Sequence, residues 1–451
     1  MDKYETQAEY NMAETCAASI SLNDLQDLSD SKLSPQALSG RKLTYGSIRG
    51  SDALRTNLAK LYSARATTTF SSKNIMITPG AIAANFNVLY ALIGKGDHVI
   101  CHYPTYQQLY EVPASLGEYV LFLEITMIHG MSSRSSCQCL KHTTMHCFLF
   151  SPTANATHAL KHPRCRSLAL ESRRERPVGA SSRTAERLAA TKHQADNHQV
   201  CALSTIIGCS ANCCSNPNNP TGAIIPKHQL QGIIDIAQEQ KLLVLSDEVY
   251  RPLFHSISPA SEQFPPSLLQ FPHDNVVVTG SMSKAYSLAG IRVGWIASRS
   301  SDILDACSQA RDYTTISVSQ VDDQIAAYAL SQDCVHNLLG RNVKLASTNL
   351  GILDNFVERH SSVCSWVKPV AGTTAFVRFS ISNVPVNDVA LCEQLIKETG
   401  ILVCPGSRCF GDGTDFKGYV RIGFVCVTAV LLQGLDKLAE FIGKRVFATC
   451  Q

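Results

Sequence analysis

Four short motifs carry the residue types that do chemistry: Thr-Pro-Gly-Ala at 78–81, Asn-Asn-Pro-Thr-Gly at 218–222, Ser-Asp-Glu-Val-Tyr at 246–250 and Ser-Met-Ser-Lys at 281–284. The last sets one lysine, Lys284, just past the apolar run at 276–280, and Arg292 follows among small residues. Each motif alone has an ordinary structural explanation. The first can be a turn between strand and helix, Asp247 can cap a helix, and Lys284 can be a solvated surface charge. Together they weigh more, because each follows a stretch that reads as a strand. In a parallel sheet, ligands bind beyond the carboxyl ends of the strands. A lysine, a carboxylate and an arginine gathered on that edge make a charged ligand site.

The elements that must position them are legible in the hydrophobic pattern. Residues 75–80 read as a strand and turn, 81–93 as an apolar helix and 97–106 as a strand and loop. Leu230, Ile233, Ile234 and Ala237 keep helical spacing. Strands are expected at 242–250, 276–284 and 293–298, alternating with helices as in a mostly parallel α/β sheet. Helical pattern dominates from about 302, with short strands near 372–380 and 418–425. The expected organisation is an N-terminal arm at 1–40, a large domain at 41–300 and a smaller α+β domain at 301–451. No internal repeat is evident.

With these motifs in this order, the chain resembles class I/II aminotransferases, fold-type I enzymes that use pyridoxal 5′-phosphate (PLP). The resemblance rests on Asn-Pro-Asn-Asn-Pro-Thr-Gly at 216–222, Ser-Asp-Glu-Val-Tyr and Ser-Met-Ser-Lys, followed by Leu288, Gly290, Arg292 and Gly294, and it covers about 10–117 and 216–445. It implies that Lys284 forms the Schiff base with PLP and then shuttles the proton, a role suited to a lysine that deprotonates readily near a cationic, desolvated site. It implies that Asp247 pairs with the pyridinium nitrogen and keeps the ring an electron sink. Tyr250 and Asn219 would donate to the phenolic oxygen, and Tyr106 would stack on the ring. The phosphate would lie on the backbone amides of Gly80, Ala81 and Ile82 at a helix start, with Ser281, Arg292 and, less centrally, Ser283. Arg421, in Tyr-Val-Arg-Ile-Gly-Phe, matches the arginine that grips the substrate α-carboxylate. Tyr45 matches a tyrosine that reaches the phosphate of the neighbouring subunit, implying a homodimer with shared active sites.

Composition excludes little else. The 451 residues are 45% apolar and 17% charged, with a net charge of +3, too small to argue for nucleic acid or an anionic membrane. The acidic, polar N-terminus shows no secretory pattern, and no apolar run approaches a membrane span, so a cytoplasmic protein is expected. Residues 126–215 stand apart, holding eight of the 18 cysteines, seven of the 14 histidines and eleven Lys/Arg against four Asp/Glu. That is +7, leaving 3 − 7 = −4 for the remainder. Three readings compete for this stretch. One is a zinc module at Cys137, Cys139, His142, His146 and Cys147, whose spacing matches no common structural site; no metal is expected. The second is a disordered basic insertion. The third is text in a shifted frame, flanked by retained introns, across roughly 118–215: residues 192–199 read one base later can encode Asn-Thr-Lys-Leu-Ile-Ile-Ile, and 177–180 can encode Arg-Trp-Val-Pro. On that reading 118–215 is poorly ordered and a buried strand is missing beside Asn219.

The expected activity is amino transfer on an amino acid or amino-acid-like intermediate. The text at 10–25, Tyr-Asn-Met-Ala-Glu-Thr-Cys-Ala-Ala-Ser-Ile-Ser-Leu-Asn-Asp-Leu, resembles a fungal branch tied to secondary metabolism, some relatives of which cleave C–S bonds by β-elimination. A C–S lyase is therefore the second expectation, and a pseudoenzyme crippled by 118–215 the third.

Overall fold

The computed structural model describes residues 4, 6–40, 42–64, 66, 69–117, 119–124, 147–150 and 211–448. Strand β1 (Tyr10–Asn11) lies apart from the main sheet and pairs in parallel with β13 (Ile401–Leu402). The main sheet has eight strands: β2 (Ile75–Thr78), β3 (His98–Tyr103), β4 (Tyr119–Glu124), β5 (Cys147–Phe150), β6 (Ala211–Ser215), β7 (Leu243–Asp247), β8 (Val276–Ser281) and β9 (Gly294–Ser298). Their spatial order is β2-β9-β8-β7-β6-β3-β4-β5. The inner run β8-β7-β6-β3-β4 is parallel, while β9 is antiparallel to both β8 and β2, and β5 is antiparallel to β4. Two reversals make β2 run in the same direction as β8, so the motif after β2 opens on the same edge as Asp247 and Ser281. All six residues of β8 and all five of β6 are buried, as expected for strands covered on both faces.

Helices Ala81–Leu92, Lys227–Gln240 and Ser301–Asp312 flank this sheet. A second sheet runs β10 (Cys364–Trp366), β11 (Thr374–Ile381), β15 (Tyr419–Gly423) and β14 (Cys404–Pro405), with β12 (Val384–Pro385) hydrogen-bonded to β11. The 28-residue helix Gln332–Arg359 and helix Thr428–Ala448 pack together beside it. This is an α/β fold with a mixed sheet flanked by helices. Among the described residues no helix is long and apolar enough to cross a membrane.

The expectation that 118–215 leaves a gap in the sheet is overturned. Stretches 119–124 and 147–150 add strands at one edge, and Ala211–Ser215 fills the position between β3 and β7. The reason is chemical. Cys213 and Cys214 behave as small apolar residues, packing on opposite faces of the strand into two different hydrophobic clusters. Five small side chains therefore make a central strand that delivers the chain to Asn216. Of the residues weighed as a zinc module, Cys147 opens β5, while Cys137, Cys139, His142 and His146, and the shifted-frame text at 177–199, lie outside the described residues.

Candidate active site

The carboxyl edge of the sheet opens on a cavity of about 480 Å³ that Lys284, Asp247, Arg292 and Arg421 all line. Asp247 ends β7 and is almost fully buried. Its Oδ2 accepts from Asn85 Nδ2 at 3.0 Å and its Oδ1 from the Val249 amide at 3.0 Å. Thr279, on the neighbouring strand, donates at 2.6 Å to Asn85 Oδ1, fixing which way that amide faces. Burial pushes the Asp247 carboxyl up, and the Asn85 and Val249 donors and the Lys284 charge pull it back. A buried carboxylate with so few partners suits a cationic N–H presented from the cavity.

Lys284 leaves β8 through a tight turn and donates at 2.6 Å to Thr15 Oγ1, with Cys16 Sγ at 3.7 Å. The N-terminal segment is anchored there from both sides, since Ala17 N–H donates to the Lys284 carbonyl and Thr373 Oγ1 to the Thr15 carbonyl. Tyr250 is buried and hydrogen-bonded to Thr15, and its phenol is pushed up to about 12 by burial. It is therefore a neutral O–H donor over the whole physiological range. Tyr106 lines the same cavity half-buried, its phenol raised by burial and by Asp247.

An anion seat lies where helix Ala81–Leu92 begins. The first amides of a helix have no intrahelical acceptor, and those of Ala81 and Ile82 face this end. The Gly80 N–H does not join them: it donates to the Thr78 carbonyl at 2.8 Å. Gly80 contributes by lacking a side chain, since with φ +84° a Cβ there would lie 2.4 Å from Arg292 Nη2. A Cβ on Gly294 would likewise meet the Gly80 carbonyl carbon at 2.4 Å, so β9 can approach this turn only as glycine. Arg292, itself left-handed at φ 49°, donates to Ser283 Oγ at 3.2 Å and to the Ala289 carbonyl at 2.9 Å. Ser281 Oγ accepts from the Ser283 amide at 3.2 Å.

The second cation is Arg421 on β15, only 9% exposed. It donates to Asn219 Oδ1 at 3.2 Å and to the Ala13 carbonyl at 2.8 Å, while its buried Nε has no partner among the described residues. With its oxygen on Arg421, Asn219 can offer the cavity only its Nδ2 hydrogens. Phe410 packs its ring 5.5 Å from the guanidinium carbon.

Of the residues singled out from sequence, Lys284, Asp247, Tyr250, Asn219, Ala81, Ile82, Tyr106, Ser281, Ser283, Arg292 and Arg421 border this one cavity. Tyr45 does not. It is 75% exposed on a loop held by Gln320 through the Thr44 carbonyl, 2.8 Å away. Asn85 was not singled out from sequence, its signal being one of two asparagines on a mainly apolar helix. Nor were Thr15, Cys404 and Cys409, for which sequence offered no signal, because they arrive from distant elements.

The residues fit PLP. Arg292, Ser281 and the helix start can hold a phosphate, Asp247 can hold a protonated ring nitrogen, Lys284 can meet a carbonyl, and Arg421 adds a second guanidinium at the cavity wall. The sequence model of the family described as aminotransferase class I and II matches residues 21–117 and 186–442, resuming before the Asn216 motif. A PLP-dependent aminotransferase from Streptococcus suis 89-1591 is 31% identical, with a TM-score of 0.71 over 98% of this chain and 96% of that one. An aspartate aminotransferase of Thermotoga maritima is 24% identical over 414 residues, 90% of this chain and 85% of that protein. A capreomycidine synthase of Streptomyces vinaceus is 31% identical over 227 residues, 50% of this chain and 54% of that protein, so about half of its length is spanned. The chain belongs to the aminotransferase class I and II family, as a PLP-dependent transferase.

Proposed function

We propose that the protein transfers the amino group of an amino acid, or an amino-acid-like intermediate, that carries its recognition charge as one α-carboxylate. The supporting observation is that Arg421, a largely buried cation, lines one cavity with Lys284, Asp247 and Arg292. Bound PLP supplies an electron sink for the pair of electrons left when the substrate Cα–H bond breaks. Arg421 fixes the carboxylate and hence the orientation of that C–H bond. Lys284 Nζ takes the proton and returns it, with Thr15 Oγ1 as its resting acceptor. Asp247 holds positive charge at the ring nitrogen, Tyr250 remains a protonated donor, and Tyr106 and Phe410 limit water. The test is an amino-donor panel with an α-keto acid acceptor. Stoichiometric conversion of one donor to its keto acid supports transfer, and no exchange with any donor contradicts it.

A second reading is β-elimination from a cysteine conjugate, supported by the likeness of the text at 10–25 to a branch some members of which cleave C–S bonds. Pyruvate and free thiol in place of a keto acid would select it. The pseudoenzyme reading rested on a missing strand that β6 supplies. The text at 10–25 supports a setting in fungal secondary metabolism, and domains at 1–40, 41–300 and 301–451 and a cytoplasmic location remain part of the proposal.

The same reading includes a homodimer in which Tyr45 completes the partner's phosphate seat. Its support is the exposed apolar set Leu43, Tyr45 and Tyr313. Mixing inactive Lys284→Ala and Tyr45→Ala proteins should regenerate activity. A mixture no better than its parts would refute shared sites.

A further inference from the structure

The cavity has a thiol edge that amino transfer does not use. Cys404 lies on β14 and Cys409 in the short helix Gly406–Phe410, and both line the cavity beside Phe410 and Arg421. Both are half-buried, and the two thiols shift each other's ionisation in opposite directions. Cys404 is the direct cross-strand neighbour of Arg421 in the β14–β15 pairing. The Cys409 thiol, and secondarily the Arg421 charge, pull the Cys404 thiol down while Cys404 holds the Cys409 thiol up, whereas burial pushes Cys214, Cys307 and Cys364 up to about 12. Thiolate character, access and a neighbouring thiol are what make a cysteine oxidisable.

We propose that Cys404 and Cys409 are a site of reversible oxidation by a peroxide, closing to a disulfide that weakens carboxylate binding at Arg421. The Cys404 thiolate attacks one peroxide oxygen, the O–O bond breaks, and hydroxide leaves, giving a sulfenic acid. The Cys409 sulfur then attacks Cys404, the S–S bond forms, and the sulfenic oxygen departs as water with the Cys409 proton. Two thiols are oxidised and one hydrogen peroxide is reduced to two waters; a dithiol reductant reverses the bond. The disulfide removes the negative sulfur beside Arg421 and ties β14 to the helix that carries Phe410. The effect on substrate rests on the carboxylate role proposed for Arg421; the disulfide itself does not.

The experiment treats the full-length, PLP-loaded protein with hydrogen peroxide, blocks residual thiols and maps peptides. The expected result is a Cys404–Cys409 linked peptide, a several-fold rise in KM for the amino donor, an unchanged cofactor absorbance, and reversal by dithiothreitol. The Cys409→Ser protein, compared with itself before and after peroxide, should show no such reversible change. Thiols intact at both positions after oxidative loss of activity, or the same reversible loss in Cys409→Ser, would overturn the site. A formed disulfide with unaltered KM would overturn its action on Arg421.

Discussion

Asn85 Nδ2 lies 3.0 Å from Asp247 Oδ2, and Thr279 holds the other end of the same amide at 2.6 Å. A helix residue thus supports a strand-end carboxylate from beneath the cavity, with every member buried. Replacing Asn85 by Leu keeps the volume but leaves the Thr279 hydroxyl and one Asp247 oxygen without that partner. The expected cost is about 1–3 kcal/mol for each buried group left unsatisfied, read as a lower urea midpoint, together with weaker PLP retention on dialysis.

The Asp247 carboxyl also sets a pH dependence in the cofactor-free protein. Its folded pKa is raised by burial. A group raised on folding contributes stability that is full below its unfolded value, about 3.9 for Asp, and is lost as pH rises through the folded pKa. Cofactor-free protein should therefore lose this contribution on going from about pH 4 towards neutrality, and Asp247→Asn should remove that part of the slope. Denaturant unfolding across this range measures it. Identical slopes in the two proteins would show that Asp247 is not the group responsible.

Gly80→Ala tests the anion seat. The backbone at φ 84° and ψ 166° lies in a region that is essentially glycine's alone, at a cost of about 1–3 kcal/mol for other residues. The new methyl would also displace the mobile end of Arg292. A modest loss of stability is expected, with a much larger loss of affinity for PLP by titration. Equal affinity would place the phosphate elsewhere.

Arg421→Lys keeps the charge but loses the planar fork that bonds Asn219 and the Ala13 carbonyl. Truncating one partner of a buried charged pair costs about 2–5 kcal/mol, so kcat/KM for the amino donor should fall at least about 30-fold, 1.4 kcal/mol being tenfold. PLP binding should be little changed, and steady-state kinetics on the reconstituted enzyme separates the two.

The sheet and its edge were legible because β7 and β8 are continuous apolar runs ending in polar motifs, a pattern that follows from burial on both faces. Lys284 and Asp247 could be read because each sits within a few residues of such an end, and Arg292 because it shortly precedes β9. Thr15 could not, since its place beside Lys284 depends on a contact spanning 269 positions. Strand β6 was misread for a related reason: Ala-Asn-Cys-Cys-Ser lacks the β-branched residues that announce a strand, and only its neighbours β3 and β7 show that small side chains fill the space. The Gly80 amide was assigned to the phosphate from the motif, while the Thr78 carbonyl had already claimed it.

Lys284 is the residue expected to bond PLP, and borohydride reduction of the PLP-loaded protein followed by peptide mass mapping locates that bond. A single stable pyridoxyl adduct on Lys284, absent from Lys284→Ala, is expected; an adduct on a different lysine, or the same labelling in the variant, would rule Lys284 out.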